Sequence, residues 1–162
     1  MSIAINNESS FALKEEFLEE YAQLAAYVLT QEGVPVSAVL SVTLLDEDEI
    51  ALLNKKYRNK ENSTDVLSFP CDDFIEESGE EPVLLGDVVV SPAVAERQND
   101  DLYAELRLLL VHGILHLIGY DHMDCESQAK AMESREQELL QDWIELWAGE
   151  PRQGGCQGRC CG

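Results

Sequence analysis

Apolar residues fall into a few periodic runs along this chain, and their periods name the elements. Residues 2–6 alternate weakly and predict an edge strand. Over residues 10–31, Leu13, Phe17, Tyr21, Leu24 and Val28 recur every three or four positions, as one face of a helix does, with Gly33 and Pro35 placed to stop it. Residues 36–45 are rich in β-branched and aliphatic side chains and predict a strand. Asp46, followed three residues later by Glu49, resembles a capping box opening a helix that runs through Tyr57. Residues 65–69 form a strand ended by Pro70. Residues 84–91, apolar apart from Gly86, Asp87 and the closing Ser91, predict a central strand. Pro92 suits the first position of a short helix. Residues 102–118 are apolar on almost every side, which predicts a buried helix. A last helix over 125–147 is expected to turn Met132, Leu139, Leu140 and Ile144 inward and its acids outward. The sum is one α+β domain, residues 1–148, with a Gly- and Cys-rich tail over 149–162 that is expected to be disordered.

Composition changes this picture in one respect. At 162 residues, with 45% hydrophobic and 27% charged, the chain can bury a core without staples. Its formal net charge of −21 is the anomaly. Such a field repels phosphates at long range, so a broad basic nucleic-acid face is excluded. No DNA partner is expected. A small positive site, or docking to a basic partner, stays compatible. Residues 71–82 hold six carboxylates and read as a solvated loop. The start has no basic n-region or apolar h-region, and the apolar run between Arg107 and Asp121 is too short to span a bilayer. Cys71 and Cys125 stand alone while Cys156, Cys160 and Cys161 crowd the end, which is no disulfide framework. A cytoplasmic protein with no membrane partner is expected.

All three histidines fall within eleven residues, His112 to His122. His112 and His116 are four apart, so on a helix their rings share a face and can close on one metal. Were the helix to continue, His122 would lie about 9 Å further along the axis and on another face. Gly119 offers a helix stop that turns His122 back towards the same point. Three neutral imidazoles with an open fourth position are the donor set of a catalytic zinc site. A lone histidine in an apolar helix is usually a core residue, but three buried rings without a shared partner cost several times the roughly 1–3 kcal/mol of one unsatisfied group. The spacing equals that of H-E-x-x-H-x-x-G-x-x-H zinc proteases, with Gly113 in place of the glutamate base. The helix is therefore zincin-like, yet peptide hydrolysis by that route is not expected.

Four of the 11 basic residues lie between Asn54 and Lys60: Lys55, Lys56, Arg58 and Lys60. They read as the exposed cationic end of a helix, or as a phosphate clamp with Arg58 forked on phosphoryl oxygens. Three ordered blocks carry a resemblance: Asn54-x-x-Tyr57-Arg58 followed by Thr64-Asp65-Val66-Leu67-Ser68-Phe69-Pro70, then Gly86-Asp87-Val88-Val89-Val90-Ser91, then His112-Gly-x-Leu-His-Leu-x-Gly-Tyr-Asp-His122. Together they resemble the bacterial YbeY family of metal-dependent single-strand endoribonucleases over roughly residues 35–147. The resemblance implies a mixed sheet of about four strands wrapped by about five helices. It implies one zinc per chain on His112, His116 and His122, with another transition metal as an alternative, and a functional arginine at Arg58. It further implies work in the cytoplasm on the 3′ end of small-subunit ribosomal RNA and in ribosome quality control, with small ribosomal subunit proteins as partners.

On this reading His112 and Arg58 serve catalysis, and Asp121 orients a ligand histidine, handles a proton, or merely caps the loop. Asp65, Ser68 and Asp87 are expected to support the site. Two other classes stay open: a zinc hydrolase of small amides or esters, and a non-catalytic ribosome-assembly factor whose structural zinc would take a fourth ligand from Cys125 or the tail.

Overall fold

A computed structural model of the chain describes residues 1–58, 66–70, 83–118 and 126–149. Its elements run β1 (Ser2–Asn7), α1 (Glu15–Gln31), β2 (Ala38–Leu44), α2 (Glu47–Arg58), β3 (Val66–Pro70), β4 (Val83–Val90), α3 (Pro92–Gln98), α4 (Leu102–Leu117) and α5 (Glu126–Gly149). Among the described residues four strands form one mixed sheet in the order β1-β2-β4-β3 and five helices accompany it, so the expected α+β architecture is what the chain adopts. β1 pairs parallel to β2, and β2 parallel to β4, while β3 returns antiparallel along the outer edge of β4. β4 is thus internal, as its nearly unbroken apolar run requires. Val39 pairs with Leu84 but Leu40 with Gly86, so Leu85 is an extra residue in a bulge. Gly86 takes φ 132° there, a conformation that a side chain would strain.

Strand alternation divides β3 and β4 between two cores. Val88 and Val90 join Leu40, Val42 and Leu44 beneath α1, α4 and α5. Val89 points the other way and meets Ile50 of α2 and Leu67 of β3, with Leu53 and Phe69 packed around them. The larger core holds Tyr21, Leu24, Leu106, Leu110, Ile114 and Leu139 almost wholly out of water. Among the described residues, no helix is long and apolar enough to cross a membrane.

Three sequence expectations are corrected. α1 begins at Glu15 rather than near Ser10, because polar side chains hold the preceding segment as a loop. Asn7 Nδ2 donates to the Phe11 carbonyl at 2.9 Å, and Asp46 Oδ1 accepts from Ser10 N at 2.8 Å and Ser10 Oγ at 2.9 Å. Asp46 does sit at the mouth of α2, where its carbonyl accepts from Ile50 N, but its carboxylate ties down this loop. On α5, Ile144 is 53% exposed and Trp143 takes the inward place. Residues 132, 136, 139 and 143 follow the spacing of one helical face, and Ile144 lies about 100° off it. The same arithmetic turns Glu136 inward, against the expectation that the acids of α5 face water. The tail expected over 149–162 begins at the last residue of α5, and 150–162 lie outside the described residues.

Candidate metal centre

α4 positions the site. Its N-terminus is fixed by Asp101, whose carboxylate accepts from Ala104 N at 3.1 Å. Leu106, Leu109, Leu110, Val111, Ile114 and Leu115 bury most of its circumference, which leaves His112 and His116 half-buried along one narrow stripe. Their rings lie edge to face, centroids 4.5 Å apart with planes at 65°. Two imidazoles on successive turns are thereby brought together as the four-residue spacing predicts. The helix ends at Leu117 with Ile118 as its cap.

The glycine between the histidines has a packing cause. A Cβ on Gly113 would stand 2.7 Å from Val88 Cγ1 and 3.0 Å from Val66 Cγ2. Both neighbours are β-branched and stiff at χ1, so neither can swing aside cheaply. Ser68 Oγ donates to the Gly113 carbonyl at 2.8 Å, which fastens the same turn to β3. The position that holds the proton-carrying glutamate in zinc proteases of this spacing is therefore filled here by the sheet itself. No general base can stand there without lifting α4 off β3 and β4.

A carboxylate reaches the site from elsewhere. Glu136 on α5 is 7% exposed, and its Oε2 is hydrogen-bonded to His112 Nδ1. An ionised carboxylate only accepts, so a neutral His112 held this way carries its proton on Nδ1 and keeps the Nε2 lone pair. That is the state in which an imidazole binds a metal, and paired donors on adjacent turns fit one. Sequence reasoning missed Glu136. The signal was present in its spacing, four after Met132 and three before Leu139, but its residue type suggested solvent.

The other expected site residues divide plainly. His112 and His116 are together; Asp121 and His122 lie outside the described residues, as do Gly119, Asp65, Cys71, Cys125 and the tail cysteines. Among the described residues no group of three His, Cys, Asp or Glu side chains is disposed around one point. Arg58 closes α2, and its side chain lies outside the described part. One turn earlier, Lys55 and Lys56 are exposed and line an open depression of about 810 Å³ with Leu45, Glu49, Leu52 and Leu53. No histidine is among its described walls. Ser68 bonds the Gly113 carbonyl between the two histidines, whereas Asp87 is exposed at the register position opposite Ser41 and Phe69. Phe69 packs beside Ile50, Leu67 and Val89, which is core packing.

Known proteins resemble this chain over most of its length. The family model described as Endoribonuclease YbeY matches residues 3–144, which carries the resemblance back through α1 to β1. An Endoribonuclease YbeY of Thermobifida fusca is 43% identical over 88% of this chain and 94% of its own length. One of Acidothermus cellulolyticus is 41% identical over 88% and 92%. The solution structure of TM1509 from Thermotoga maritima superposes with a TM-score of 0.60 at 27% identity, covering 96% of this chain and 99% of that one. With the match running from the edge strand well into α5 and taking in both histidines of α4, the chain belongs to the YbeY endoribonuclease family.

Proposed function

We propose that the chain is a zinc-dependent endoribonuclease that hydrolyses single-stranded RNA. Its substrate in this reading is the 3′ end of small-subunit ribosomal RNA, processed in the cytoplasm as part of ribosome maturation and quality control. The observation that carries the proposal is the His112–His116 pair on α4, held edge to face within a chain of the YbeY family. His112, His116 and His122 are the ligand set. A zinc held by them supplies Lewis-acid polarisation of a phosphoryl oxygen and nucleophile activation when bound. Around it, Arg58 neutralises charge gathering on the phosphoryl group and Asp121 moves or steadies a proton. Lys55 and Lys56, exposed beside Arg58 in sequence, extend a short positive track on α2.

The −21 charge supports a division of labour. A chain so acidic gains little affinity for free RNA from its overall field, while it is well suited to basic proteins of the small ribosomal subunit. The test is cleavage of a single-stranded ribosomal RNA fragment, run beside zinc analysis of each variant. Arg58→Ala is expected to keep its zinc and fold while losing at least about 100-fold in kcat, the scale of one lost transition-state donor. His116→Ala is expected to lose both zinc and cleavage. Undiminished cleavage by zinc-free protein would overturn the metal reading, and an unchanged rate for Arg58→Ala would remove that arginine from it.

A further inference from the structure

The core stripe of α5 contains one residue that apolar packing does not explain. Met132 and Leu139 are almost fully buried and Trp143 is 4% exposed, yet Glu136 between them is a carboxylate at 7%. A buried carboxylate is costly unless a donor meets it. The donor here is His112 Nδ1, on a ring that is still a third exposed and faces His116 across 4.5 Å. The pair is therefore asymmetric, with its carboxylate in the core and its imidazole at the open edge of α4.

We infer that Glu136 is a positioning residue of the metal centre: it fixes His112 in the Nδ1–H tautomer, aims Nε2 outward beside His116, and so makes α5 part of the site. The inference rests on the metal reading above and adds to it a residue from an element that carries none of the histidines. Outer partners of this kind set ring orientation and raise ligand basicity, and their loss typically weakens metal binding about 10- to 100-fold. A glutamine in place of Glu136 keeps an acceptor for Nδ1–H but no charge, whereas a leucine removes the acceptor and suits the apolar stripe.

The test uses the full chain in two states. In metal-free protein at pH 8, imidazole 15N shifts report which nitrogen of His112 carries the proton. Competition with a chromophoric chelator then gives the zinc affinity. Wild type is expected to show Nδ1–H. Glu136→Gln is expected to retain that tautomer with about 10-fold weaker zinc binding, and Glu136→Leu to lose the bias and bind about 100-fold more weakly. An Nε2–H tautomer in wild type, or zinc affinities within twofold in both variants, would overturn the inference while leaving the metal site standing. A wild type that takes up no zinc would overturn both. Circular dichroism on the same samples guards against unfolding, and the glutamine variant, nearly equal in volume, keeps the test decisive should the leucine variant not fold.

Discussion

Two glutamates, both 7% exposed, reach α4 from different helices, and their surroundings differ. Glu20 comes from α1 and meets three donors: Arg107 Nε at 2.9 Å, Arg107 Nη2 at 3.0 Å and Trp143 Nε1 at 2.9 Å. Its guanidinium partner lies over the Phe17 ring, 5.5 Å from the centroid, and Trp143 is itself packed between Tyr27 and Trp147. Fork-to-fork geometry and a third donor satisfy both carboxylate oxygens, so this is a closed network that clamps α1, α4 and α5 together. Glu136 comes from α5 and meets an imidazole whose far nitrogen it does not use. One carboxylate has three donors shared over both its oxygens, while the other has a single imidazole donor that stands beside His116. Burial alone does not separate the two acids; the number and kind of donors do.

The contrast can be broken at several strengths. Glu20→Ala leaves the Arg107 charge without its partner and is expected to cost about 3 kcal/mol, the low end for a buried pair because Arg107 is partly exposed. Urea unfolding measures it, and a loss below about 1 kcal/mol would show that the network is not a clamp. Gly113→Ala comes next, at about 2 kcal/mol from overpacking against Val66 and Val88. Because both glutamates depend on α4 lying flat on the sheet, that variant is expected to weaken zinc binding as well. Stability loss with full zinc affinity would uncouple the sheet contact from the site.

Tyr21→Phe is smaller and carries a pH signature. The hydroxyl donates to the Leu106 carbonyl at 2.7 Å, and burial pushes its pKa far up, with Arg107 pulling weakly the other way. A proton held more tightly in the folded state gives stability that is present below the unfolded pKa of about 10 and is lost as pH rises beyond it. Wild type is thus expected to lose up to about 1.4 kcal/mol per pH unit above 10 through this group. The phenylalanine variant is expected to start about 1 kcal/mol lower at neutral pH and decline less steeply. Parallel alkaline slopes in chemical denaturation would contradict it. The least stability effect is expected at Glu136→Gln, under about 1 kcal/mol, since the hydrogen bond to His112 survives. A cost equal to that of Glu20→Ala would make the two glutamates alike and erase the comparison.

Much of this was legible in the residues, for reasons that can be named. The apolar run of β4 announced an internal strand, and the four-residue histidine spacing announced a shared face, because period and face are nearly one fact in a regular element. Glu20 and Glu136 were not legible by the same reasoning. Residue type assigns a glutamate to water, and only a partner distant in sequence, Arg107 or His112, reverses that assignment. Ile144 was misplaced against Trp143 by the mirror of that error, since one aliphatic residue was given weight that the 132-136-139-143 stripe denies it. The loop before α1 was read as helix because its stabilising bonds run to Asp46, thirty-six residues away from Ser10. Gly113 looked like a missing catalytic residue, and its cause is a contact with β3 and β4 that only tertiary packing creates.

α5 is the last described helix along the chain, and that order has its own consequence. The four described strands and the histidine pair of α4 all precede α5 in sequence, while Met132, Leu139 and Trp143 of α5 complete the larger core. On a chain made from its N-terminus, the imidazole of His112 therefore precedes its carboxylate partner by 24 residues. If Glu136 positions His112 as inferred above, a nascent chain lacks that partner until α5 has docked, and full metal affinity would require the completed core. A nuclease built this way would come on late, with its own final packing step as the timer.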